Sequence, residues 1–397
     1  MSRLIELLPS PEIDESLLAS ERLENLRGTM LVDGLDVLVL TNPVSIRYAT
    51  GYRVQSSMQS RIPTVYAIVP IVGPIIVHGT HSGDLPLVDV FRRSHAITSF
   101  DAGLELSVAA DRFAADIELA LDELGYDSRA SVGVERTTPT GHRAFADIGL
   151  NVFDAEPTVE LARSRKSDLE LVALDFAVAV AEYGMTLMQS VLEPGITENQ
   201  LFAILHQVNI AHGGDSIDGR MLCSGPRTNP WYQEASHRRI ESGDLVAFDT
   251  DMVGPYGYCA DIGRTWVCDT GPTPEQQDLY RRALHEIEHN MALLHVGASF
   301  EELSHSVFRH PDEFAANRSA SVFHGVGMTD EYPKIPHPQD WEWAGYDGQL
   351  EDGVVLAVES FVGSDRGSQG VRLEQLVRVT SGGIEVMSSY PLWDLQP

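Results

Sequence analysis

AFDTDMVGPYGYCADIGRTW, residues 247–266, sets three aspartates in a stretch of chain that reads as folding back on itself. The apolar run from residue 245 to 248 predicts a strand that delivers Asp249 and Asp251, two positions projecting to one face of an extended chain. Gly254, Pro255 and Gly257 supply the turn, and residues 258–266 read as the returning strand, which carries Asp261 back opposite the first pair. Working outward, Glu359 lies in VVLAVESFV and Glu374 in GVRLEQLVRV, both strongly β-forming. An uncompensated carboxylate buried there costs several kcal/mol, about the scale that a bound cation offsets. His324 sits in FHGVGMTDEYP, where Gly325 and Gly327 favour close approach of backbone. Five carboxylates and one imidazole supply the oxygen and nitrogen donors that suit one or two divalent ions of iron, manganese, zinc or cobalt. The competing reading puts Glu374 on a solvent face shared with Arg372 and Arg378, and makes the aspartates strand ends and turn caps.

The order Asp, Asp, His, Glu, Glu, framed by GYxxDIxRT (residues 257–265) and HGxG (324–327), resembles the pita-bread metalloenzymes, among them methionine aminopeptidase, prolidase, aminopeptidase P and creatinase. The resemblance covers nearly the whole chain, in motifs from about residue 160 and in layout before it. It implies an α/β N-terminal creatinase-like domain over residues 1–159, serving dimer contact and pocket closure. An α+β pita-bread catalytic domain, binding metal, follows over residues 160–397. Asp249, Asp251, Asp261, His324, Glu359 and Glu374 are the implied metal ligands. Within the family the closest likeness is to the dimethylsulfoniopropionate lyase branch, carried by CSGPRTNPWYQE (223–234), by the opening stretch with its additional Asp251, and by HGVGMTDEYP.

Departures from the peptidase pattern decide between chemistries. Peptidases of this fold place one histidine about 17 residues before the first metal-binding aspartate, where it contacts the scissile amide and its tetrahedral intermediate. Trp231 and Tyr232 stand there in this chain. A second peptidase histidine follows the metal-binding one in HGxGxxxHE, whereas HGVGMTDE is one residue shorter and puts Asp330 near that place. His237 is a remote substitute. In the resembling lyases the corresponding aspartate is the general base that removes the proton α to the substrate carboxylate. The implied reaction expels dimethyl sulfide from a small zwitterionic carboxylate and leaves acrylate, with no water as nucleophile.

A sulfonium head calls for aromatic faces. The branch's tyrosine five residues before the metal-binding histidine is Ser319 here, and its tryptophan after NxxxxRYAT falls in the altered stretch 51–63. Tyr48, Tyr52, Trp231, Tyr232, Trp341 and Trp343 are available to rebuild a cage, with Trp231, Tyr232 and Tyr48 taken as the substrate-binding set. Two further readings compete: a hydrolase of the Xaa-Pro dipeptidase or aminopeptidase P kind or of another small amide, and a binding module that keeps the fold without turnover. Retention of six polar groups in a core counts against the last.

Composition sets the outer bounds. A chain of 397 residues with 43% hydrophobic content accommodates one large core or two moderate ones, and a formal charge of −30 opposes binding to a nucleic-acid backbone. LDVLVLT and YAIVPIVGPIIVHG alternate with helical AADRFAADIELALDELG in the first domain. His285, His289 and His295 read as a helical solvent face. No sustained apolar run occurs at the N-terminus, and no CxxC pairs the three cysteines, so a cytoplasmic protein off the membrane is expected; the resemblance implies a homodimer acting on a small molecule.

Overall fold

The computed structural model describes residues 5–54, 56–79, 86–95 and 98–392. Position 55, within the altered stretch 51–63, and the first four residues of the chain lie outside them. The chain falls into two compact units, Glu12–Arg163 and Ser164–Pro397, the second joined by the N-terminal stretch through Pro11.

The first unit is built on one mixed sheet. Its strands are β1 (Val37–Leu40), β2 (Tyr66–Pro70), β3 (Ile76–Gly79), β4 (Val90–Arg93), β5 (Ser131–Val134) and β6 (Asn151–Asp154), in the order β4-β3-β2-β1-β5-β6. β1 runs parallel to β5, and β5 to β6, while β1 and β2 are antiparallel. β1 and β2 are buried along their whole length, which explains their unbroken apolar runs. The helix Leu106–Leu124 covers the sheet with Ala110, Phe113, Ala114, Ile117 and Leu121, the 3.6-residue stripe read from the sequence.

The second unit holds three sheets. β7 (Ser216–Ile217), β8 (Leu222–Ser224), β9 (Leu245–Phe248), β10 (Met252–Val253), β11 (Cys259–Ala260) and β12 (Arg264–Val267) form two small ones, ordered β11-β10-β7 and β12-β9-β8. β13 (Phe323–Val326), β14 (Asp330–Ile335), β15 (Val355–Gly363), β16 (Gly370–Thr380) and β17 (Gly383–Val386) form the third, ordered β14-β13-β15-β16-β17. Every residue of β15 is buried, since the helix Pro274–Met291 packs across β15 and β16.

The helix Asp168–Ser190 starts on a capping box of Ser167 and Glu170. By length and composition it could cross a membrane, yet it buries one face against the helix Glu198–Ala211 and β11. Glu170 also accepts the Tyr258 hydroxyl at 3.0 Å, tying this helix to the aspartate hairpin.

Candidate metal centre

The aspartate stretch is a single hairpin broken in the middle. β9 pairs with β12 through Phe248↔Arg264, and β10 with β11 through Met252↔Ala260, in one continuous register that sets Asp251 opposite Asp261. The expected extended run through Asp249 and Asp251 does not form. Asp251 adopts φ +38°, a left-handed conformation that costs a non-glycine residue energy and redirects the chain. Thr250 bridges the gap: its hydroxyl donates to Ala260 O at 2.7 Å and accepts from Ile262 N–H at 2.9 Å. Ladder bonds are missing where the three aspartates need to turn inward.

His324 enters from β13 at a bulge, where the register against β14 slips between His324 and Gly325. A Cβ at Gly325 would lie 2.4 Å from Tyr332 O, and one at Gly327 would lie 2.4 Å from a Glu331 carboxylate oxygen. Both glycines are therefore required by close approach, as their place in the sequence suggests. Glu359 and Glu374 face each other across β15 and β16.

Asp249, Asp261, His324, Glu359 and Glu374 are all buried, Glu374 completely. His324 Nε2 lies 3.4 Å from Glu359 Oε1, 3.4 Å from Glu374 Oε1 and 3.5 Å from Asp261 Oδ2. Donors about 2.1 Å from a common tetrahedral ion stand about 3.4 Å apart, so these spacings fit a shared cation better than mutual hydrogen bonds. His324, Glu359 and Glu374 form one group able to hold an ion, Asp249, Asp261 and Glu374 a second that shares Glu374, and Asp261, His324 and the exposed Asp330 a third. Asp261 Oδ1 and Glu374 Oε1 are buried with no hydrogen-bond partner among the described residues, an expensive state that a cation relieves. Asp251 is partly buried and lines the same cavity without joining any of the three groups.

Arg372 is the functional residue that sequence reasoning misplaced. It shares a face with Glu374 as read, but that face is buried. Its guanidinium donates to Asp249 Oδ2 at 2.6 and 2.9 Å, to Glu359 Oε2 at 2.6 Å and to Glu374 Oε2 at 2.9 Å. Burial is the largest influence and raises Asp249 and Glu359, yet Arg372 together with neighbouring hydrogen bonds, and His324 beside Glu359, hold both below the usual carboxylate range. Asp261 and Glu374 go the other way. Burial dominates, and adjacent carboxylates push both well above their ordinary values. Asp251 is raised to about 8 by burial and by Asp249 and Asp330. Burial opposes protonation of His324, but Asp330, Glu359 and Asp261 lift it to about 9. Two charge-starved carboxylates beside two satisfied ones is what an ion site looks like before its ion is counted.

A cavity of about 500 Å³ opens onto these groups. Asp330, the first residue of β14, lines it with a side chain 59% exposed, its Oδ1 3.9 Å from His324 Nδ1. Partial enclosure raises its proton affinity, with Glu359 and Asp249 adding and His324 opposing. Trp231 is buried, stacked on Phe361 at 5.9 Å, with the Arg372 guanidinium 5.6 Å above its ring. Tyr232 lines the cavity and its hydroxyl accepts from Ala320 N–H at 2.9 Å. Their loop is pinned by Glu198, which is fully buried and accepts from Ser224, Arg227 and Ser236.

Other expectations are redirected. Tyr48 is fully buried within the first unit, its hydroxyl donating to Ala162 O at 2.9 Å, so its side chain belongs to that unit's core. Trp343 is 78% exposed and Trp341 packs on the core; Tyr332 and Tyr346 line the cavity instead. Nothing in their local sequence singled them out: Tyr332 lies in the irregular part of β14, and Tyr346, in the loop after the helix Trp341–Ala344, stacks on it at 5.9 Å. His237 is exposed and does not line the cavity, Ser319 is buried against His337, and His285, His289 and His295 are exposed as read.

Residues 173–381 match metallopeptidase family M24, and residues 22–165 match the creatinase/prolidase N-terminal domain. The chain belongs to metallopeptidase family M24. Members of M24 are dinuclear metal enzymes, and the acidic and histidine groups here are of the kind that hold metal. The chain is similar to the dimethylsulfoniopropionate lyase DddP of Roseovarius nubinhibens, 32% identical over 365 residues that span 89% of this chain and 82% of that protein. It is similar to DddP of Roseobacter denitrificans, 32% identical over 390 residues spanning 94% and 87%. Among solved structures, an Xaa-Pro dipeptidase from Bacillus anthracis superposes with TM-score 0.73 at 22% identity over 95% of this chain and 99% of that one. An X-Pro aminopeptidase from Thermotoga maritima superposes with TM-score 0.75 at 18% identity over 94% and 99%. These structural likenesses show the fold alone: a creatinase-like domain followed in the chain by an M24 pita-bread domain.

Proposed function

We propose that this M24 protein is a metal-dependent lyase that eliminates dimethyl sulfide from dimethylsulfoniopropionate, or from a closely similar zwitterionic carboxylate, to give acrylate. The observation that carries the reading is Asp330, a carboxylate with raised proton affinity exposed in the cavity beside His324, in a chain 32% identical over most of its length to two lyases of that name. Asp249, Asp251, Asp261, His324, Glu359 and Glu374 would hold one or two divalent ions, whose charge stabilises the substrate carboxylate as its α-carbon loses a proton. Asp330 takes that proton. The C–H pair becomes the new carbon–carbon double bond, the C–S pair leaves with sulfur, and neutral dimethyl sulfide departs while the proton stays on Asp330. Tyr232, exposed in the cavity, offers a ring face for the sulfonium, with the buried Trp231 behind it contributing wall rather than an open face. The dipeptidase reading needs a group to serve the amide, and among the described residues His324 is the one histidine lining the cavity.

Manganese-, iron- or zinc-loaded protein incubated with dimethylsulfoniopropionate and, separately, with Xaa-Pro dipeptides tests this. Dimethyl sulfide and acrylate in equal amounts are expected. Free proline without sulfide would replace this reading with the hydrolase.

A further inference from the structure

We propose that Lys334 binds the substrate's carboxylate and steadies the charge that gathers there during proton removal, an inference that rests on the lyase reading for its chemistry. Of the 28 basic residues, two are lysines, Lys166 and Lys334. Both belong to one place. Lys166 is buried in an ion pair with Glu331, which lines the cavity, and Lys334 lines the cavity itself. A chain that uses arginine almost everywhere keeps its compact ammonium groups here, where a point charge with three rotatable donors suits a small anion better than a planar fork.

The bulge sets the geometry. Lys334 lies directly opposite His324, and Asp330 opposite Val326. Residues opposite each other on antiparallel strands share a face with Cβ atoms about 5 Å apart, so the lysine stem rises beside the imidazole. Asp330 and Lys334 answer to positions two residues apart on β13, about 7 Å along the strand. That spacing seats a three-carbon carboxylate with its α-carbon toward the aspartate and its oxygens toward the ammonium. The backbone N–H of Lys334 donates to the Tyr346 hydroxyl at 2.6 Å, fixing the base of the side chain. Among the described residues, two lysine or arginine side chains line the cavity, Lys334 and Arg372; Arg372 is committed to Asp249, Glu359 and Glu374, while the Lys334 ammonium has no acidic partner among the described residues. Of these two side chains it is the one left to share a ligand's carboxylate with the bound ions.

Calorimetric titration of metal-loaded protein with acrylate and with propionate, beside neutral propionamide, tests this without requiring turnover. In Lys334→Met the binding of both carboxylates weakens roughly 10- to 100-fold, as loss of a charge-assisted hydrogen bond implies. Lys334→Arg keeps part of the affinity, and propionamide binds all three proteins alike. Carboxylates that bind Lys334→Met as they bind the wild type, or that do not bind the wild type, overturn the assignment. The two readings fail separately. Lysine-dependent acrylate binding without sulfide release removes the lyase and keeps Lys334; sulfide release with unchanged KM and kcat in Lys334→Met removes Lys334 and keeps the lyase.

Discussion

Arg372 shows how one side chain sets the electrostatics of a site. Buried among carboxylates, it keeps Asp249 and Glu359 ionised while Asp261 and Glu374 are left short of positive charge. Breaking a buried ion cluster by removing one partner costs about 3–5 kcal/mol, because the remaining charges stay buried and unpaired. Arg372→Met is therefore expected to lower the stability of metal-free protein by that amount in urea unfolding, and excess divalent metal is expected to restore part of it. Unchanged unfolding would mean the carboxylates find their compensation elsewhere. The sequence put Arg372 and Glu374 on one face but could not say which way it points, since a strand's two faces differ only in what packs on them.

At the scale of elements, the site is assembled at irregularities. The hairpin gives up its ladder between β9 and β10, and β13 bulges beside His324. Gly325→Ala would drive a methyl group into Tyr332 O, a backbone atom, and a destabilisation of about 1–3 kcal/mol with weakened metal binding is expected from such overpacking. Gly382→Ala, whose methyl would meet the Thr380 hydroxyl at an ordinary 3.7 Å, is the control and is expected to change little in the same thermal melts. The hairpin, its turn and the inward Asp261 were legible because glycine and proline punctuate a short run. The left-handed Asp251 was not, since an aspartate tolerates both extended and left-handed backbone and only the pairing on either side decides. The Tyr332 ring was hidden for a like reason: it sits at a bulge, bulges leave no period in the sequence, and Tyr346 reaches the cavity from a distant loop by stacking on it.

For the whole molecule, the balance of charge ties stability to pH and to metal. Asp251, raised from 3.8 to about 8, and His324, raised from 6.5 to about 9, both hold protons in the folded state that the unfolded chain has released, and Asp261 and Glu374 are raised in the same sense. Their contribution is present below the unfolded values and is lost as pH climbs through the folded ones. Asp249 and Glu359, held low, are already ionised across that window. Metal-free protein is expected to melt at progressively lower temperature from pH 6.5 to pH 9 in scanning calorimetry, and a bound divalent ion, replacing the protons, is expected to flatten the slope. A melting temperature that rises over this range without metal would contradict this balance of charge.

The buried carboxylates and the exposed base serve one proposed reaction, and Asp330 carries its decisive step. The most direct test is the rate of dimethyl sulfide release from dimethylsulfoniopropionate by metal-loaded wild type and by Asp330→Asn, with bound metal measured in both. A positioned general base contributes about 10²- to 10⁴-fold. Loss of that size with metal content unchanged is the predicted result; sulfide released by Asp330→Asn at the wild-type rate would contradict it.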